Sequence, residues 1–208
     1  MEATIHLADG ETAVVGYGSL LSVQSITKTL GREYDGPFVT CHLEGWRRSW
    51  DVSMPNEAFY FLEDGERVYP ERILYLNVRP DPGALLNVVV FVANRKELEA
   101  MNHREWIYEH PVVTSALRGL RVEGGDAIVY AGRAEHVVRD AVRPRQAAIR
   151  SSYLKMIGKA LAAVDHGFRE EYRRTTDPVP EHLVIADVLD PDRPNPWAAA
   201  GHDYRPEK

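Results

Sequence analysis

Apolar residues along this chain fall first into short, β-branched runs and only later into helical spacing. Thr12 to Tyr17 (TAVVGY) is an apolar run broken at Gly16 and Gly18, the pattern of a buried strand leaving into a tight loop. Val23, Ile26 and Leu30 then recur at helical spacing, with Ser22 placed to cap the helix start and Gly31 its end. Aromatic and β-branched residues dominate Gly36 to Ser53, and Ile73–Val78 and Leu85–Val92 predict two more strands, with Pro80, Pro82 and Gly83 as the turn between them.

Asn94 is placed to cap a helix over Arg95 to Arg104, whose Leu98 and Met101 share a face. Strands are expected over Trp106–Thr114 and Asp126–Ala131, with Gly124 and Gly125 as the turn before the second. Ile149, Tyr153, Ile157 and Leu161 lie four apart, which predicts an amphipathic helix over Gln146–Val164; a shorter helix is expected over Phe168–Arg173. Beyond Thr176 the chain is punctuated by prolines, with one strand-like run at Leu183–Leu189. Residues 176–208 therefore read as an extension packed on a domain formed by residues 1–175. Strands first and helices later, with one early helix interleaved, is an α+β pattern.

Composition narrows the chemistry. The 208 residues carry 25 Lys+Arg against 31 Asp+Glu, a net charge of −6, which lacks the basic excess that phosphate neutralisation needs. A small-molecule substrate is expected in place of nucleic acid. A lone cysteine, Cys41, excludes an internal disulfide and a cysteine-built zinc site, and fits a reducing, cytoplasmic setting. The longest nearly apolar run, Ala84–Ala93, is too short to cross a bilayer, and no secretory signal is visible at Met1–Glu11. Oligomeric state leaves no readable trace.

Three places can carry chemistry. In VVGYGSLL, Val14–Leu21, glycines and a serine follow a buried strand, so several backbone N–H groups can turn toward one anion; glycine also admits close approach and positive φ. The loop is neither a dinucleotide fingerprint nor a P-loop, because no third glycine and no Gly-Lys-Ser/Thr follows. Glu105 stands between Arg104 and Trp106 at a helix end, where aromatic surface would desolvate a carboxylate and suit it to act as a base. A solvated helix-end glutamate has the same spacing. Tyr153 falls at core spacing, with its hydroxyl at the rim.

The remaining candidates have plainer readings. His103 and His110, seven residues apart with no cysteine and no HExxH pattern, are weak evidence for a metal site. GWRRSWD, Gly45–Asp51, fits strand alternation with the tryptophans inward and Arg48 outward. The arginines of Arg139–Arg150 read as a solvated face. Cys41 reads as a small buried hydrophobe.

Taken in order, VVGYGSLL, LEGWRRSW, LEAMNHREWIYE and SSYLKMIGKAL followed by GFREEYRR resemble the γ-glutamylcyclotransferase-like superfamily over about residues 12–175. The loop and LEGWRRSW are most similar to the ChaC-type branch, which acts on glutathione, and the Tyr153 helix also resembles branches acting on other γ-glutamyl amines. The resemblance implies a small mixed β-barrel flanked by helices. It places the substrate loop on Tyr17, Gly18, Ser19 and Leu20, the general acid/base on Glu105, and the helix tyrosine on Tyr153. It implies no cofactor and no metal. Asn102 stands where the family often has aspartate, and Trp106 replaces a glycine, setting bulk beside the expected pocket.

The implied reaction is cyclisation of a γ-glutamyl amide to 5-oxoproline with release of the amine. Hydrolysis to free glutamate would use the same site, and a non-catalytic binding protein that keeps the fold is the alternative outside enzymes.

Overall fold

A computed structural model describes residues 3–193. The chain opens with β1 (Ala3–His6), β2 (Glu11–Gly16) and helix α1 (Val23–Leu30), then forms the long strand β3 (Phe38–Pro55), a short hairpin of β4 (Phe59–Glu63) and β5 (Glu66–Val68), and the longest strand, β6 (Arg72–Asn94). Helix α2 (Arg95–Arg104) follows, then short strands β7 (Tyr108–Glu109), β8 (Leu117–Arg118), β9 (Leu120–Glu123), β10 (Ala127–Val129) and β11 (Ala131–Gly132). Strand β12 (Ala147–Arg150) leads into α3 (Ser151–Ala162) and α4 (His166–Arg174), and β13 (Val184–Ile185) and β14 (Val188–Leu189) end the described chain. The result is an α+β fold, a curled mixed sheet flanked by helices.

Local signals set several boundaries. Ser22 Oγ accepts from Ser25 N and Gly31 closes α1 at φ 69°. Asn94 and Glu97 form a reciprocal capping box on α2, satisfying two helix-end donors at once.

Strand β6 organises the sheet. One edge pairs with β3 along nearly its whole length, while the other receives β2 and β12 in turn. β2 runs antiparallel to β6 and stops at Gly16 opposite Val89; β12 runs parallel to it and places Ile149 opposite Leu74. The two strands therefore run toward each other and leave that edge open between Leu74 and Val89. β10 lies parallel to β2, with Val129 beside Val15, so its end arrives at the same place. Buried apolar residues, among them Val14, Leu43, Leu76, Val90 and Phe91, hold the layers together.

Four expectations need correction. Pro80, Pro82 and Gly83 do not reverse the chain: Ile73–Val78 and Leu85–Val92 are one strand, both pairing with β3. Glu44 pairs with Leu85 and Trp46 with Pro80, so Asp81–Ala84 are extruded opposite Gly45, which takes φ 78°. A bulge tolerates the missing proline N–H as a turn would.

Ala147–Arg150 are strand rather than the first turn of a helix, because Arg72–Leu74 on one side and Val184–Ile185 on the other supply ladder partners. Helix α3 then starts at Ser151 and takes its cap from far along the chain, Asp187 Oδ1 accepting from Ser152 N at 2.9 Å.

The strand expected over Trp106–Thr114 shrinks to Tyr108–Glu109, and a 3₁₀ turn occupies Thr114–Ala116. Arg48, expected outward, is 0% exposed. Residues 46, 48 and 50 share the parity of a strand, so alternation does not separate the arginine from the tryptophans. Its guanidinium reaches the Asn87 and Tyr172 carbonyls and the hydroxyls of Thr175 and Thr176.

Candidate active site

The open edge of β6 becomes a pocket because the residues just beyond its two converging strands fill it only in part. At Leu76 the main chain has no strand partner on that side; its N–H donates to the Tyr153 hydroxyl at 3.4 Å, and its carbonyl accepts from the Tyr108 hydroxyl at 3.1 Å. Around it Gly16–Leu20, Glu105, Tyr108, Tyr130 and Tyr153 line a small cavity of about 40 Å³. All six residues expected at the site, Tyr17, Gly18, Ser19, Leu20, Glu105 and Tyr153, lie on this one pocket.

The loop is held from both ends of Tyr17. Its hydroxyl donates to the Tyr130 carbonyl at 2.6 Å, and its own carbonyl accepts from the Tyr172 hydroxyl at 3.0 Å. Leu21 N returns to Gly18 O at 3.3 Å, and Ser22 begins α1. Among the described residues, the N–H groups of Gly18, Ser19 and Leu20, three consecutive residues of the pocket lining, meet no acceptor.

Neither Gly16 nor Gly18 uses positive φ, contrary to expectation. Gly16 is required for space, since a Cβ there would lie 2.6 Å from Leu20 O and 2.9 Å from Val89 Cγ2; a Cβ on Gly18 would make ordinary contacts but enter the pocket 3.7 Å from the Tyr153 hydroxyl.

Glu105 is the C-cap residue of α2, its N–H bonded to Met101 O. Arg104, the preceding residue, grips its Oε1 with Nε at 2.8 Å and with Nη2. Both contacts fall on one oxygen, so among the described residues Oε2 has no partner. The ion pair is sheltered, the Glu105 side chain being 20% exposed.

Trp106 does not crowd this site. It is 48% exposed, packs edge-on against His136 and is absent from the pocket wall. The aromatic surface near Glu105 comes instead from Tyr108, three residues on, and from Tyr17, Tyr130 and Tyr153, which are distant in sequence.

Those tyrosines stay protonated. Burial pushes Tyr17, Tyr108, Tyr130 and Tyr153 up from the ordinary phenol value, with Glu105 adding to it at all four and neighbouring phenols at Tyr17, Tyr108 and Tyr153. Three of them spend their proton within the protein: Tyr17 on Tyr130 O, Tyr108 on Leu76 O, and Tyr130 on Asn102 Oδ1 at 2.6 Å. The Tyr153 hydroxyl accepts from Leu76 N and, among the described residues, donates to nothing. Among the described residues, Glu105 is the one carboxylate on the wall.

Sequence reasoning missed Arg104 as the anchor of Glu105, Tyr130 as the anchor of Tyr17, and Arg48 with Tyr172 behind the loop. Only Arg104 left a signal, its adjacency to Glu105. The others are joined by the tertiary fold across 113 and 155 positions for Tyr17 alone. No three His, Cys, Asp or Glu side chains converge as metal ligands among the described residues, and no described helix is long and apolar enough to cross a membrane.

No family model matches the chain, and no curated protein matches its sequence. Solved structures do match its shape. A γ-glutamyl cyclotransferase superimposes with a TM-score of 0.51 at 13% identity, over 82% of this chain and 90% of its own. YkqA from Bacillus subtilis superimposes with a TM-score of 0.54 at 15% identity, over 83% of this chain; the match spans 56% of YkqA. At such identities the likeness is one of fold: the chain has the γ-glutamylcyclotransferase-like fold.

Proposed function

We propose that the chain is a cofactor-independent γ-glutamyl cyclotransferase, with Glu105 as its general acid/base. The observation that carries this reading is one pocket lined both by Glu105, whose Oε2 has no partner among the described residues, and by Gly18, Ser19 and Leu20, whose N–H groups have none. The loop donors bind the substrate's α-carboxylate, which needs directed N–H groups more than a counter-ion.

A substrate α-amine has a pKa of about 8 and is largely protonated at neutral pH. Glu105 Oε2 takes its proton, and the amine nitrogen attacks the γ-carbonyl carbon of the same molecule. The carbonyl oxygen gains negative charge, which the uncommitted Tyr153 proton faces. When the original amide C–N bond breaks, Glu105 returns the proton to the departing nitrogen and then takes the second proton that the attacking nitrogen sheds as it becomes the lactam N–H, leaving 5-oxoproline and a neutral amine; that last proton passes from Glu105 to solvent. Arg104 holds Oε1 throughout, so the carboxylate keeps its aim while Oε2 cycles. Proton transfer of this kind contributes about 10² to 10⁴ in rate.

Incubation with γ-glutamyl peptides and assay of 5-oxoproline tests the reading. Turnover lost in Glu105→Gln is the expected result, turnover unchanged in that variant overturns the mechanism, and free glutamate as the product means hydrolysis in place of cyclisation.

A further inference from the structure

A second and larger cavity has a volume of about 650 Å³. Leu74 lines it and Leu76 lines the first, two residues apart on the same face of β6. Trp50, on its wall, meets Tyr153 of the first pocket edge-on, ring centroids 6.4 Å apart. The volume falls in the range of small-molecule sites, and Trp50, Leu74, Leu183 and three prolines make part of its wall apolar.

Its charged groups are unequally occupied. Asp51 accepts from Ser49 Oγ at 2.7 Å, Asn77 Nδ2 at 2.8 Å and Arg139 Nε at 3.0 Å. Asp177 accepts from Arg47 Nε, and Arg79 Nη2 stands 3.6 Å from its other oxygen, beyond a hydrogen bond. Both carboxylates are thus neutralised by cations already present. The Nη groups of Arg79 and Arg139 have no hydrogen-bond acceptor among the described residues, and these side chains are 36% and 66% exposed, within reach of a ligand. Guanidinium N–H pairs of this kind match a carboxylate in a bidentate fork.

We propose that this cavity binds a small molecule with an apolar body and a terminal carboxylate, the carboxylate on Arg79 and Arg139 and the body against Trp50 and Leu74. Two sources supply such a group: a separate carboxylate ligand, or, resting on the cyclotransferase reading, the amine portion of a γ-glutamyl peptide reaching across from the first pocket.

The test is calorimetric titration of the full chain with the dipeptide alanylleucine and with alanylleucine amide, so its outcome does not depend on turnover. Saturable binding of the dipeptide is expected, weakened tenfold or more for the amide and in the Arg79→Gln/Arg139→Gln double variant, and unchanged in Glu105→Gln. Equal affinity for dipeptide and amide, or absence of saturable binding to the native chain at about 10 mM, overturns the proposal without needing any variant to fold. A second titration, of Glu105→Gln with γ-glutamylalanylleucine, separates the sources. Affinity at least tenfold above that of alanylleucine assigns the carboxylate to the far end of the substrate, since two linked groups then bind as one. Affinity equal to that of alanylleucine assigns it to a separate ligand.

Discussion

The Tyr172 hydroxyl donates to the main-chain carbonyl of Tyr17 across 3.0 Å and so ties helix α4 to the Tyr17–Leu20 loop. The Arg48 guanidinium lies over the Tyr172 ring, 3.8 Å from its centroid, and burial pushes the phenol up to about 12, so its proton stays in place near neutrality. Tyr172→Phe removes only the hydroxyl and leaves a buried carbonyl unpaired, at a cost of about 1 to 3 kcal/mol. A several-fold rise in KM with a smaller change in kcat is expected from a loop that binds substrate but does not move protons. Steady-state kinetics of 5-oxoproline release, with a melting curve as control, checks it.

Arg48 itself carries stability. Burial lowers its pKa to about 10, and its hydrogen bonds go to main-chain carbonyls, Asn87 Oδ1 and threonine hydroxyls, with no carboxylate among them. Arg48→Met keeps the aliphatic stem and strands those acceptors, for a loss of roughly 2 to 4 kcal/mol. A fall in Tm of roughly 5 to 15 °C by calorimetry is the expected outcome.

The two loop glycines separate fold from site. Gly16→Ala sets a Cβ 2.6 Å from the Leu20 carbonyl oxygen, a backbone atom that cannot step aside, so poor folding is expected. Gly18→Ala meets Leu76 Cδ2 at 3.4 Å, an ordinary contact, but projects into the pocket. It is expected to melt near the native temperature while binding a γ-glutamyl ligand at least tenfold more weakly, as measured by titration calorimetry.

Arg104→Met frees Glu105 from its anchor. With Oε1 released, the carboxylate samples several rotamers, and a drop in kcat of roughly tenfold or more is expected from lost positioning. Glu105→Gln should fall further, because it loses the transferred proton itself. Parallel kcat measurements on the two variants check the order.

Cys41 is buried in β3, and burial pushes its thiol up to about 12. Thiolate is the reactive form, so the native protein is expected to resist a disulfide reagent at pH 8 and to react with one equivalent once denatured. Colorimetric thiol titration with and without denaturant distinguishes the two.

The sequence by itself determined the elements whose signals are local. Ser22 and Gly31 bound α1, Asn94 and Glu97 start α2, and the apolar TAVVG run ends where the loop begins, because caps and strand breaks are settled by neighbours in the chain. It also marked Tyr17–Leu20, Glu105 and Tyr153, by their motifs and not by spacing, which left each open to a structural reading.

Tertiary structure decided what those residues meet. Ala147–Arg150 carry a helical pattern yet pair as a strand, since two neighbouring strands supply ladder partners that propensity cannot foresee. The proline cluster at 80–83 bulges without turning because β3 continues along both sides of it. Arg48 goes inward because carbonyls and hydroxyls brought from elsewhere in the chain satisfy it. The pocket itself exists because β2 and β12 approach β6 from opposite directions and stop short of each other, a relation between strands more than 130 positions apart that only the folded sheet creates.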